Sequence, residues 1–164
     1  MRRIALVLIS AVAGVMLTAT PALADSPHFL FANNSVGSTG ALTTSFKEAG
    51  LGTGTTSVAI TLTADASALY QCFNNGGNHP KAGNKETVQA ALQTSGSFPV
   101  SHGQTTASLT VGPPGPGEFS CPSGQTLFLQ SVTYSNTFVS DQFGTTAHAT
   151  PDPISSGTLH TPVP

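Results

Sequence analysis

The sequence predicts an all-β fold: an immunoglobulin-like two-sheet β-sandwich with one disulfide. Three observations carry that prediction. Short stretches alternate apolar and polar residues at period two, as strands with one buried face do. Clusters of Gly, Pro and Asn separate those stretches at short intervals. The only two cysteines, Cys72 and Cys121, read as a single bridge, because an exported chain meets an oxidising compartment and an even count leaves no spare thiol. No stretch beyond residue 24 sustains a 3.6-residue apolar period, so little helix is expected.

In chain order, the first element is a targeting segment. Arg2 and Arg3 form a basic start, Ile4 to Leu17 is apolar apart from Ser10 and Gly14, and Ala22-Leu23-Ala24 is a small-x-small cleavage site. Residues 1–24 are therefore expected to be a cleaved signal peptide, with the β-sandwich domain over 25–146 and a flexible Pro/Ser/Thr-containing tail over 147–164. The apolar stretch is shorter than the roughly 20 residues a bilayer span requires. No membrane span is expected after cleavage, and the sequence around the arginines favours Sec over twin-arginine export. The expected location is extracellular.

Beyond the signal segment, Lys47, Lys81 and Lys85 stand against seven carboxylates, a formal charge of −4. That balance disfavours nucleic acid as a partner, since nucleic-acid binding needs cationic neutralisation of phosphates. Charged residues are far scarcer than the roughly 25% of an ordinary domain, which leaves few groups for acid–base catalysis.

Ser57 to Thr63 alternates polar and apolar residues and is read as a strand, followed by a second over Ala68 to Phe73 that puts Tyr70 and Cys72 on one face. Val88, Ala90 and Leu92 alternate with Thr87, Gln89, Ala91 and Gln93, and Ala107, Leu109 and Val111 alternate with Ser108 and Thr110. Leu127 to Thr133 and Tyr134 to Val139 have the aromatic, β-branched and Thr content that suits a pleated, half-buried surface. Turn formers lie at 50–54, 74–78, 112–117 and 121–124. The Pro/Gly run 112–117 cannot supply ladder donors and is expected to be a crossover connector. In this arrangement the disulfide is expected to bridge strands of opposite sheets across the core. The chain has no tryptophan, the residue that packs on the bridge of antibody domains, so the prediction is of architecture only.

The candidate chemistry is sparse. His28, His79, His102, His148 and His160 are scattered and form no H-x-H or H-E-x-x-H pattern, so no metal and no cofactor is expected. No G-x-S-x-G elbow marks a nucleophilic serine. Asp65, Glu86, Glu118 and Asp141 are not paired by anything in the sequence as a glycosidase would require. The densest polar cluster runs from Gln71 to Glu86. Its Asn74, Asn75, Asn78, His79 and Asn84 are the candidate binding residues, beside the bridged Cys72. Asparagine and glycine also suit tight turns, because they tolerate left-handed backbone angles, so the same residues read equally as turn chemistry.

The stretch 46–52, the Cys72 to Glu86 stretch with its Gly-Gly-Asn, the Phe98 to Val111 hairpin and the Cys121-Pro122 region together resemble a group of small secreted proteins of unknown function from actinobacteria and other soil bacteria. Residues 49–55, the strand ending at Gln71-Cys72 and the stretch 106–111 are similar, more faintly, to the neocarzinostatin-type apoproteins, acidic immunoglobulin-like domains that carry an enediyne chromophore in a cleft. Those proteins have two local disulfides, whereas Cys72 and Cys121 are far apart and no second pair exists.

The function expected on these grounds is that of a secreted, non-catalytic protein that acts by surface interaction or as a structural domain, with an unknown extracellular or cell-surface partner. The first alternative is a carrier of an apolar small molecule, which solvent-facing Phe73, Phe98 or Phe138 would favour. The second is a small secreted hydrolase.

Overall fold

The computed structural model describes residues 26–74 and 84–163, so the signal segment and the centre of the Asn-rich loop lie outside the described residues. Among the described residues, nine strands form two antiparallel sheets packed face to face. The shorter sheet holds β1 (His28–Val36), β2 (Leu42–Ala49) and β5 (Gln104–Val111), in the order β1-β2-β5. The longer sheet holds β4 (Lys85–Pro99), β3 (Ser57–Asn74), β6 (Gln125–Asp141) and β7 (Thr146–His148), in the order β4-β3-β6-β7, with β8 (Ile154–Ser155) and β9 (Thr161–Pro162) also paired to β6. That order is the Greek-key arrangement of an immunoglobulin-like sandwich in which the fourth strand has joined the second sheet.

The two strand pairs expected over 57–73 and 127–139 are two long single strands. β3 spans 18 residues and β6 spans 17, and they pair along almost their whole length. Two irregularities interrupt that register, between Thr63 and Asp65 and between Leu69 and Tyr70. At the first, β6 carries an extra residue, and Asn136 adopts a φ of 51°, the left-handed region that asparagine tolerates better than most residues. Such bulges bend a strand and sharpen its twist.

The central strands of the long sheet are about twice as long as those of the short one, so its inner face is covered in two different ways. Over one half lies the short sheet, with Phe46, Val58, Ile60, Leu62 and Val139 fully buried between them. Phe29 and Phe98 meet Phe46 edge to face at 6.2 and 5.4 Å. Over the other half, the small side chains of Ala64, Ala66 and Ala68 let connecting segments settle onto the sheet beside Tyr70, Leu129, Val132 and Tyr134. Two phenol hydroxyls pin those segments: Tyr134 donates to the Gly40 carbonyl at 2.7 Å, and Tyr70 donates to the Pro114 carbonyl. Burial pushes the Tyr134 phenol up to about 12 and raises that of Tyr70, so both hydroxyls keep their donor protons.

The structure corrects two expectations. Cys72 and Cys121 do form a disulfide, with Cα atoms 5.6 Å apart. However, Cys121 lies in the β5–β6 connector rather than in a strand, so the bridge fastens that connector to the end of β3 instead of joining two sheets. The tail expected to be flexible from 147 is laid along β6 instead. There β7, β8 and β9 act as one interrupted edge strand. Ala149 is fully buried, and Ile154, Leu159 and Val163 pack on the second core cluster.

Candidate functional site

Of the five candidate binding residues, Asn75, Asn78 and His79 lie outside the described residues. The other two, Asn74 and Asn84, are brought together by a residue that sequence reasoning does not single out. The Gln125 amide donates to Asn74 Oδ1 at 2.8 Å and accepts from Asn84 Nδ2 at 3.0 Å. The Cys72 N–H donates to the Asn84 carbonyl at 3.0 Å. Both flanking amides therefore take part in closing the base of the loop. Behind that base, Phe128 stacks on His160 at 4.1 Å, and Phe73 meets both rings edge-on.

The remaining described histidines do not converge. His148 pairs with Asp152 at 2.7 Å, and the same carboxylate oxygen accepts the Thr137 N–H. His28 lies against the Ser26 carbonyl, and His102 sits in the β4–β5 turn against Ser101. Among the described residues no group of three or more His, Cys, Asp or Glu side chains could hold a metal ion.

The most strongly perturbed group is Glu48. It points inward from β2 and is fully buried. Burial, reinforced by the facing Asp141 carboxyl, pushes its pKa from 4.5 to about 8, because a second charge beside an existing one in a dry interior is strongly disfavoured. Asp141 Oδ1 is occupied by the Phe143 and Thr145 N–H groups at 2.9 and 2.7 Å, which shape the β6–β7 turn. Glu48 is fully buried and Asp141 almost so.

A concave surface occurs elsewhere, on the outer face of the long sheet where the β6 bulge bends it. A groove of about 410 Å³ is lined by Asp65, Ala66 and Ser67 of β3, Gln89, Ala90 and Ala91 of β4, and Thr133 and Ser135 of β6. It adjoins a smaller depression of about 230 Å³ that shares Asp65 and Ala91 and adds Thr63, Ala64, Leu92, Gln93 and Asn136. The left-handed backbone at Asn136 turns its amide toward β3, and Nδ2 donates to Asp65 Oδ2 at 2.8 Å. Phe138 lies cross-strand from Thr63 of the smaller depression and is 41% exposed; its ring lies 4.9 Å from His148. Of the phenylalanines that would favour an apolar carrier, Phe73 is buried and Phe98 packs on the core, which leaves Phe138 alone of the three facing outward.

Gln89 and Ala91 stand in the sequence as the outward partners of an alternating strand, whereas Asp65 and Ser67 fall between the two strands expected over 57–73. Their concavity depends on cross-strand register and a bulge, and neither leaves a local signature. The chain matches no protein-family model, no curated protein and no solved structure.

Proposed function

We propose that this protein is an exported, non-catalytic recognition domain that holds a neutral, hydroxyl-rich ligand of the oligosaccharide class in the groove on the outer face of its long sheet. The observation that carries the reading is the make-up of that groove. Amide, hydroxyl and single-carboxylate side chains line the concave floor among alanines, and the half-exposed ring of Phe138 lies cross-strand from Thr63 of the adjoining depression. Neutral amides and hydroxyls both donate and accept hydrogen bonds, which matches the dual character of sugar hydroxyls. An aromatic face suits the apolar side of a pyranose ring. Export is supported by the N-terminal sequence pattern and by the disulfide, since such bonds persist in oxidising compartments.

Calorimetric titration of the protein with cello-, chito- and malto-oligosaccharides tests this reading. At least one series is expected to bind. Gln89→Ala is expected to weaken it about tenfold, the cost of one lost hydrogen bond of about 1.4 kcal/mol, with melting unchanged because the side chain is exposed. No heat with any series, or binding indifferent to Gln89→Ala, would refute it.

A further inference from the structure

The long sheet has two edges, and the chain treats them differently. One is closed by the β7, β8 and β9 segments, broken up by Pro151, Pro153 and Pro162. The outer side of β1 is also bridged. There the Asn34 N–H donates to the Thr150 carbonyl at 2.8 Å, and the Thr150 N–H donates to the Ala32 carbonyl at 3.0 Å. The other edge of the long sheet is β4, 15 residues long. Among the described residues it pairs with β3 alone. A long open edge presents a row of unpaired N–H and C=O groups, and proteins usually guard such rows with lysine, proline or inward charges. From Thr87 to Phe98, β4 reads TVQAALQTSGSF and carries none of these. Lys85 and Glu86 stand at its start and Pro99 at its end.

We propose that β4 is a self-pairing edge through which two copies of this chain join antiparallel, about a twofold axis at Ala91, into one continuous sheet. A closed twofold contact requires the strand to complement itself, and this one does. Centring on Ala91 sets Gln89 opposite the second copy's Gln93, twice, so that the amides can exchange hydrogen bonds. Thr87 then faces Ser95, Val88 faces Thr94, and Ala90 faces Leu92. Outward residues oppose outward ones, the condition a sheet's pleat imposes on register. No like charges meet, because Lys85 falls opposite Ser97 and Glu86 opposite Gly96. Centring on Ala90 would face each Gln89 with Ala91 and lose both amide pairs. The grooves, each with a wall built by Gln89 and Ala91, would come to lie on one shared outer face. The pairing itself does not depend on what the grooves hold.

Sedimentation velocity of the secreted protein over about a hundred-fold concentration range tests the proposal. The wild type is expected to pass from monomer to dimer. Ala91→Lys, which sets two ammonium groups directly opposite each other, is expected to stay monomeric over the whole range and to melt as the wild type does when diluted to monomer, since Ala91 is exposed. Ala91→Cys is expected to cross-link rapidly on oxidation, because opposed Cα atoms lie about 4.5 to 5.5 Å apart, within disulfide reach, whereas Gln93→Cys is not. A wild type that stays monomeric throughout overturns the proposal. So does a dimer that survives Ala91→Lys, or Gln93→Cys cross-linking as fast as Ala91→Cys.

Discussion

Replacing Glu48 by glutamine should alter how stability depends on pH, and both sign and size follow from the structure. Glu48 is buried and holds its proton up to about pH 8, against 4.5 for the free group. A group whose folded pKa is raised binds more protons in the native state, so its contribution to stability is complete below pH 4.5 and is lost as pH rises through about 8. At about 1.4 kcal/mol per pH unit over that interval, the wild type should lose about 5 kcal/mol between acid and mildly alkaline solution, about 3 kcal/mol of it by neutral pH. The glutamine of Glu48→Gln is neutral at every pH, and its amide can donate to Asp141 Oδ2, which is buried without a partner. The variant should therefore be nearly flat where the wild type slopes, and the two curves should diverge as pH rises. Urea denaturation of both proteins from about pH 4 to about pH 9 measures this directly. A wild type with constant stability across that range, or a variant with the same slope, would show that Glu48 does not carry its proton into the fold.

Two further outcomes are expected. Cys72→Ser opens the bridge that fastens the β5–β6 connector and should cost about 4 kcal/mol in the chain-entropy account of a loop of this length; a thermal melt that is unchanged under non-reducing conditions would contradict it. Gln125→Ala removes both hydrogen bonds that close the Asn-rich loop and should cost about 1 kcal/mol, with faster hydrogen exchange at the Cys72 amide and unchanged exchange at Val58; equal protection at Cys72 would show that the loop base is held by something else.

The parts of the fold most legible by alternation are runs whose inward residues are apolar. Val58, Ile60 and Leu62 of β3 alternate with Ala59, Thr61 and Thr63, and Val88, Ala90 and Leu92 of β4 with Gln89, Ala91 and Gln93, whereas 134–139 is legible from composition although its Thr137 is buried and polar. β1 and β2 are not legible in this way because their inward positions include Asn34, Thr44 and Glu48, all buried. Each is reconciled to the interior by something distant or chemical. Thr44 donates to Asn34 Oδ1 at 2.7 Å, Asn34 donates to the Pro151 carbonyl at 3.1 Å, and Glu48 is held protonated. Period-two reading presumes apolar interiors, so it cannot find a strand whose inner face is satisfied in this way. The C-terminal segment misleads for a related reason. Its prolines signal a linker in isolation, yet proline is tolerated on an edge strand, where the missing N–H faces outward. The loop residues Asn74 and Asn84 stand out in the sequence, but their shared partner Gln125 lies far along the chain and carries no local signal of that role.

The overhang of the long sheet beyond the short one links the core to the proposed sites. A sheet face left uncovered would need a second layer, and this chain supplies it from connectors rather than strands. The alanine row keeps the floor low, the two tyrosine hydroxyls anchor the β1–β2 turn and the 112–124 connector, and the disulfide fastens the latter at its far end. Connectors ordered in this way leave the overhang's outer face free of any structural duty, so its polar side chains need not pack against another layer. There the β6 bulge shapes the groove, and the unguarded β4 forms its rim. Both proposals depend on β4 being fixed by its partner β3, and β3 is fixed at its far end by Cys72. Opening the bridge should therefore weaken ligand binding at Gln89 and pairing at Ala91 together, whereas Ala91→Lys should abolish pairing whether or not the bridge is intact. That difference separates a loss of support beneath the sheet from a direct clash at its edge.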